Sequence, residues 1–198
     1  MSMSAAFTTG YSLGGKRFDG QATITGETAL VSENSVPAAK SGQLTTRTDA
    51  DTGTLTMSGG HGITTGAIVS IFWAGGARYD VTVGTVAGNS VPFDTGSGDD
   101  LPDNLTSVTV MVAEQFDLAF AGDDLAALVF YSESIGILEF MDGATVLQAY
   151  ITAGAGQVLG WNDTLGVLHG LEGDDVTHVR VSHGQTSAKT MRVGALLT

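Results

Sequence analysis

Apolar residues recur at every second position in short runs, and most runs end in a cluster of glycine and aspartate. This pattern limits the fold more than any other feature, because only a strand places alternate side chains on one face. In "RYDVTVGTV" (78–86), period two puts Tyr79, Val81 and Val83 on one face and Asp80 and Thr82 on the other. "LTSVTVMV" (105–112) alternates similarly, "QFDLAF" (115–120) sets Phe116, Leu118 and Phe120 against Gln115, Asp117 and Ala119, and "THVRVS" (177–182) does the same with Val179 and Val181. These are the marks of half-buried antiparallel strands. "AIVSIFW" (67–73), "LAALVFY" (125–131) and "IGILEFM" (135–141) are more continuously apolar, as in strands at the centre of a core. Turn clusters such as "AGGA" (74–77), "AGDD" (121–124) and "MDGA" (141–144) recur at roughly 8–12 residue spacing, which signals a sandwich or barrel. "DDLAALVF" (123–130) is the one modest helix candidate, and its Val-Phe-Tyr ending favours a strand. The expected fold class is all-β: an antiparallel β-sandwich plus a small β-barrel-like domain.

Composition shifts near residues 40 and 113, so two packed units are expected: 41–113 as the barrel, and 20–40 with 114–198 as the sandwich. Residues 1–19 are expected to form an N-terminal arm. With 42% hydrophobic residues the chain can build a core. Lys and Arg total 8 against 21 Asp and Glu, a net charge of −13, and the basic residues are scattered. Phosphate backbones and anionic membranes are held by clustered basic residues, so neither nucleic acid nor membrane is an expected partner. The absence of cysteine excludes disulfides, thiol catalysis and zinc–thiolate sites. The first residues do not read as a secretory signal, and no apolar run approaches the roughly 20 residues of a membrane-spanning helix.

Several motifs come close to a chemistry. "GYSLG" (10–14) has the spacing of a hydrolase nucleophile elbow, with Ser12 as nucleophile, but no apolar strand is evident before it and no helix after it. "GYSLGGKR" (10–17) misses a phosphate-binding loop because Arg17 stands where the magnesium-ligating hydroxyl belongs. His178 and His183 are five apart on one strand and so point to opposite faces; a turn or surface role is expected for the histidines. Three "GDD" triplets (98–100, 122–124, 173–175) and "DADTG" (49–53) could offer carboxylates to calcium, but Asp also closes turns on its own backbone, and that role is favoured. In "GGHGITTG" (59–66), Gly59, Gly60 and Gly62 are expected to supply backbone conformations closed to other residues, with His61 making a structural hydrogen bond. No catalytic residue, cofactor or metal is expected.

The run 52–102, with "GHGITTG" leading to "FWAGG" and "VTVGTV", resembles the small β-barrel known as the first catalytic cysteine half-domain of ubiquitin-activating enzymes, in the form found in phage proteins. The resemblance covers about a quarter of the chain and brings no activity with it, since no cysteine is present. "YSLGGKRFDGQATITGE" (11–27) and "VSHGQTSAKTMRVG" (181–194) resemble virion structural proteins of tailed phages. The resemblance implies a non-enzymatic structural subunit of a tailed-phage particle, foremost a capsid decoration or cement protein, made in the host cytoplasm and located in the virion. Its partners would be copies of itself and other virion proteins, the major capsid protein first and tail proteins second. Phe7, Tyr11, Lys16, Arg17 and Phe18 are the candidate interaction residues of the arm. A tail component (tube, fibre or adaptor) is one alternative. A carbohydrate-binding module with Trp73 and Trp161 as stacking platforms is another, against core packing for both indoles.

Overall fold

A computed structural model describes residues 3–13, 16–26, 28–96, 101–117, 125–133, 136–152, 157–162 and 177–197. Every regular element among these residues is a strand. The chain opens with a hairpin of β1 (Met3–Leu13) and β2 (Lys16–Gly26), which form a two-stranded sheet of their own. After β3 (Thr28–Val36) come β4 (Lys40–Arg47), β5 (Thr52–Met57), β6 (Ile68–Trp73), β7 (Gly76–Val83), β8 (Ser90–Asp94) and β9 (Ser107–Val112). These six close into a barrel in the order β4-β5-β8-β7-β6-β9, every pair antiparallel. The remaining strands are β10 (Glu114–Asp117), β11 (Leu125–Ser132), β12 (Gly136–Asp142), β13 (Thr145–Thr152), β14 (Gln157–Asn162), β15 (His178–His183) and β16 (Lys189–Leu197). They make the sandwich: one sheet in the order β10-β15-β12-β13, the other β14-β11-β16-β3.

Alternation builds the barrel core. Leu44, Leu55, Met57, Val69, Ile71, Val81, Val83, Val91, Phe93, Val108 and Val110 are buried there, and each aliphatic side chain removed from water contributes about 1.5–3 kcal/mol. Ile63 and Leu101 enter the same core from the loops that follow β5 and β8. The three apolar runs occupy interior positions. β6 lies between β7 and β9, β11 between β14 and β16, and β12 between β15 and β13. All seven residues of β12 except Asp142 are buried. The segment weighed as a helix is β11, a strand. The β12–β13 hairpin turns through Gly143, whose φ of 53° suits a tight turn without a Cβ.

Strict period two fails in β7. Val81 faces Val69, but Arg78 faces Ile71, so Tyr79 and Asp80 together oppose Ser70. Asp80 takes φ 54°, the left-handed conformation that lets a strand absorb an extra residue. The bulge moves Tyr79 off the Val81–Val83 face where alternation placed it. Its ring instead meets Phe72, centroids 5.8 Å apart and planes at 73°. Arg78 takes the position opposite buried Ile71 and approaches Asp51 at 3.8 Å.

The N-terminal near-motifs also change character. Ser12 lies inside β1, paired with Arg17 of β2, so a strand does precede it. The boundary expected at residue 19 falls within β2.

Candidate functional site

Three places gather polar or aromatic side chains: the Gly-rich end of the barrel, the seam between barrel and sandwich, and the N-terminal ribbon.

At the barrel end, His61 Nδ1 accepts the Ile63 N–H at 3.1 Å, and His61 Nε2 lies 3.1 Å from the Gly88 carbonyl. With Nδ1 as acceptor, Nε2 carries the proton and donates. Thr65 Oγ1 accepts the Val86 N–H at 2.9 Å. The two loops are thereby tied together, and Ile63 is seated in the barrel core. Gly60, Gly62 and Gly66 have φ of 72°, 72° and 79°. Gly59 does not share this conformation and a Cβ on it would meet nothing, so the expectation of a required glycine at 59 is corrected. Asp49 closes its turn by accepting the N–H groups of Asp51 and Thr52 at 2.9 and 2.7 Å. Those bonds hold its carboxyl below the ordinary value. The three "GDD" triplets and His169 lie outside the described residues. No cluster of metal-ligating side chains occurs among the residues described.

The seam is formed by β15 against β6, β7 and β9. Ser182 Oγ donates to Ser70 Oγ at 2.6 Å, both buried. Thr109 Oγ1 donates to the Gly184 carbonyl at 2.9 Å, and Ala39 N–H donates to the Gln185 carbonyl at 2.9 Å. Arg180 bridges the two units: its Nε donates to Glu139 at 2.7 Å within the sandwich, and its Nη2 bonds Asp80 on the barrel. Burial pushes the Glu139 carboxyl above its ordinary value; Arg180 opposes this and Asp80 adds to it. The bulge that turned Tyr79 outward also brings Asp80 to Arg180.

His178 and His183 are buried, 7% and 1% exposed, which corrects the turn or surface role expected of them. Alternation does put them on opposite faces of β15: His178 shares with Arg180 and Ser182 the face that the barrel covers, and His183 shares with Val179 and Val181 the face turned toward Val36 and Lys189 of the other sheet. His178 Nδ1 lies 3.0 Å from Thr177 Oγ1. His183 Nδ1 accepts the Gln185 N–H at 3.1 Å, while its Nε2 is buried without a hydrogen-bond partner among the described residues. Burial holds the His183 imidazole below its ordinary value, with the Val36 backbone opposing and Lys189 reinforcing.

Beside the seam runs a groove of ≈ 750 Å³, lined by Phe72, Trp73 and Tyr79, by Ser41, Ser107 and Thr109, and by Gly184 and Gln185. Trp73 packs partly against the barrel core and also lines this groove. Its ring lies over its cross-strand partner Gly76, where a Cβ would come within 2.6 Å of Cζ2. Trp161 is a residue of β14, paired with Leu128, and its side chain lies outside the described set.

The ribbon carries all five candidate interaction residues. Tyr11 pairs with Phe18 and Leu13 with Lys16, and Phe7 is four residues before Tyr11. Cross-strand partners share a face. The register therefore places Met3, Ala5, Phe7, Thr9, Tyr11 and Leu13 of β1 at alternate positions opposite Gly26, Ile24, Ala22, Gly20, Phe18 and Lys16 of β2. Ser4, Ala6, Thr8, Gly10 and Ser12 alternate with these, opposite Thr25, Thr23, Gln21, Asp19 and Arg17. Lys16 and Arg17 are the first two residues of β2, opposite Leu13 and Ser12. The ribbon approaches the sandwich through β2, which runs past β11 and β16.

The class these features define is an all-β protein in which a closed six-stranded barrel is bonded to one sheet of a sandwich and a two-stranded ribbon is appended. No family model, curated protein or solved structure matches the chain.

Proposed function

We propose that the chain is a non-enzymatic structural subunit of a tailed-phage particle, a capsid decoration or cement protein that acts by association. The observation that carries this reading is the register of the ribbon. Two strands of eleven residues each place Phe7, Tyr11 and Phe18 in one set of alternate positions that also holds Met3, Ala5, Leu13, Ala22 and Ile24, with Thr9 and Lys16 its polar members. A two-stranded sheet is marginal in water by itself and gains stability only when its apolar face is covered. Aromatic residues at such a face are the ones that dominate association energies. The resemblance of residues 11–27 to virion proteins falls on this same ribbon. The net charge of −13 suits a surface kept away from packaged DNA.

Immunogold labelling of intact particles with an antibody to this chain tests the reading. Gold over the capsid surface is the expected result. Gold confined to the tail would replace the decoration role with the tube, fibre or adaptor alternative, and particles free of label would overturn the structural role.

A further inference from the structure

We propose that the groove beside the barrel–sandwich seam binds a neutral saccharide. The groove holds ≈ 750 Å³, within the usual size of small-ligand sites, and lies where two units meet, a common place for them. Its lining contains no charged residue, although the chain as a whole carries −13. An anionic ligand would find no cation there, and a cationic one no carboxylate. A purely apolar ligand would leave the hydroxyl of Ser41 and the amide of Gln185 without partners. A sugar ring matches both halves of the lining, with C–H groups on one face and hydroxyls around its edge.

The aromatic side is preformed. Trp73 is held flat against Gly76, the one residue type that leaves room for the indole. Phe72 and Tyr79 meet edge to face, and Tyr79 is there only because the Asp80 bulge turned it outward. The opposite wall is fixed by the Thr109–Gly184 and Ala39–Gln185 hydrogen bonds. A site held rigid before binding avoids the entropy cost of ordering itself around the ligand. The groove shares no residue with the ribbon, so loss of saccharide binding leaves the association role untouched.

Calorimetric titration with cellohexaose, maltohexaose and chitohexaose, and with hexagalacturonate as the acidic control, tests this. The expected result is saturable binding of at least one neutral hexasaccharide, with a dissociation constant in the millimolar range or tighter. Gln185→Ala and Trp73→Ala should each weaken it by about tenfold or more. Because Trp73 also packs against the barrel core, Gln185→Ala on the exposed loop decides the matter if Trp73→Ala melts early. The proposal is overturned if none of the three neutral sugars saturates, if hexagalacturonate binds as tightly, or if Gln185→Ala leaves affinity unchanged. A Trp73→Ala variant that instead lowers the oligomeric mass, with no saccharide effect, would assign the groove to a protein contact and also overturn it.

Discussion

At His61 one imidazole ties two loops, accepting from Ile63 and donating to Gly88. His61→Ala should therefore lower stability by about 1–2 kcal/mol without unfolding the sandwich, which urea denaturation would read as a lower midpoint at unchanged slope. This role was legible in the sequence, because a histidine among glycines has backbone groups as its nearest partners. His183 was not legible, since "VSHG" gives no sign that the sheet carrying Val36 and Lys189 packs over that face. Its imidazole is held below the ordinary value of 6.5, chiefly by burial. The unfolded chain then takes up a proton first as pH falls. The stability due to neutral His183 is present above 6.5 and is lost as pH falls through the lower, folded-state value. Glu139 has the opposite sign: raised from 4.5 by burial, its contribution is full below that value and declines as pH rises through the folded-state value. As pH falls below 6.5, the unaltered chain should lose more of its urea midpoint than His183→Asn does, because only the unaltered chain gives up the contribution of neutral His183. An equal drop in the variant would remove His183 from the account.

Among the elements, the strands with large apolar residues were readable and the ribbon was not. β6, β11 and β12 announce central positions because both of their faces are covered and the sequence has no polar alternate to show. β1 and β2 are built largely of Ala, Thr, Ser and Gly, so their period of two is faint until the register aligns Tyr11 with Phe18. The β7 bulge was hidden for a different reason. "RYDVTV" alternates well, and only tertiary contact rewards the slip that sends Asp80 to Arg180 and Tyr79 to Phe72. The bulge yields a prediction that separates backbone from charge. Asp80→Gly keeps the left-handed residue and loses the partly exposed ion pair, at a cost of about 1 kcal/mol or less. Asp80→Ala loses the ion pair and also puts at φ 54° a residue that tolerates the left-handed conformation less well than Asp or Gly, and should cost about 2 kcal/mol. Equal urea midpoints for the two variants would mean that the left-handed turn contributes nothing.

For the molecule as a whole, composition and alternation determine an all-β chain, and the Gly/Asp spacing suggests a sandwich and a barrel. What they leave open is how the two units meet. That contact rests on single residues far apart in sequence: Ser70 with Ser182, Thr109 with Gly184, Asp80 with Arg180. Gly184 and Gln185 reach the groove only through that contact, so Trp73 could be named from the sequence but its neighbour Gln185 could not. Association through the ribbon is the central claim, and it separates folding from docking. Barrel and sandwich contain their own cores, so changing the apolar face of the ribbon should leave them folded. The most direct measurement is co-sedimentation of the purified chain with particles that lack it, comparing the unaltered chain with the triple variant Phe7→Ser, Tyr11→Ser, Phe18→Ser, and with thermal melting as the control for folding. The unaltered chain should bind to saturation, while the variant melts within a few degrees of it and binds at least about tenfold more weakly. Equal binding by the two, with equal melting, would contradict the claim.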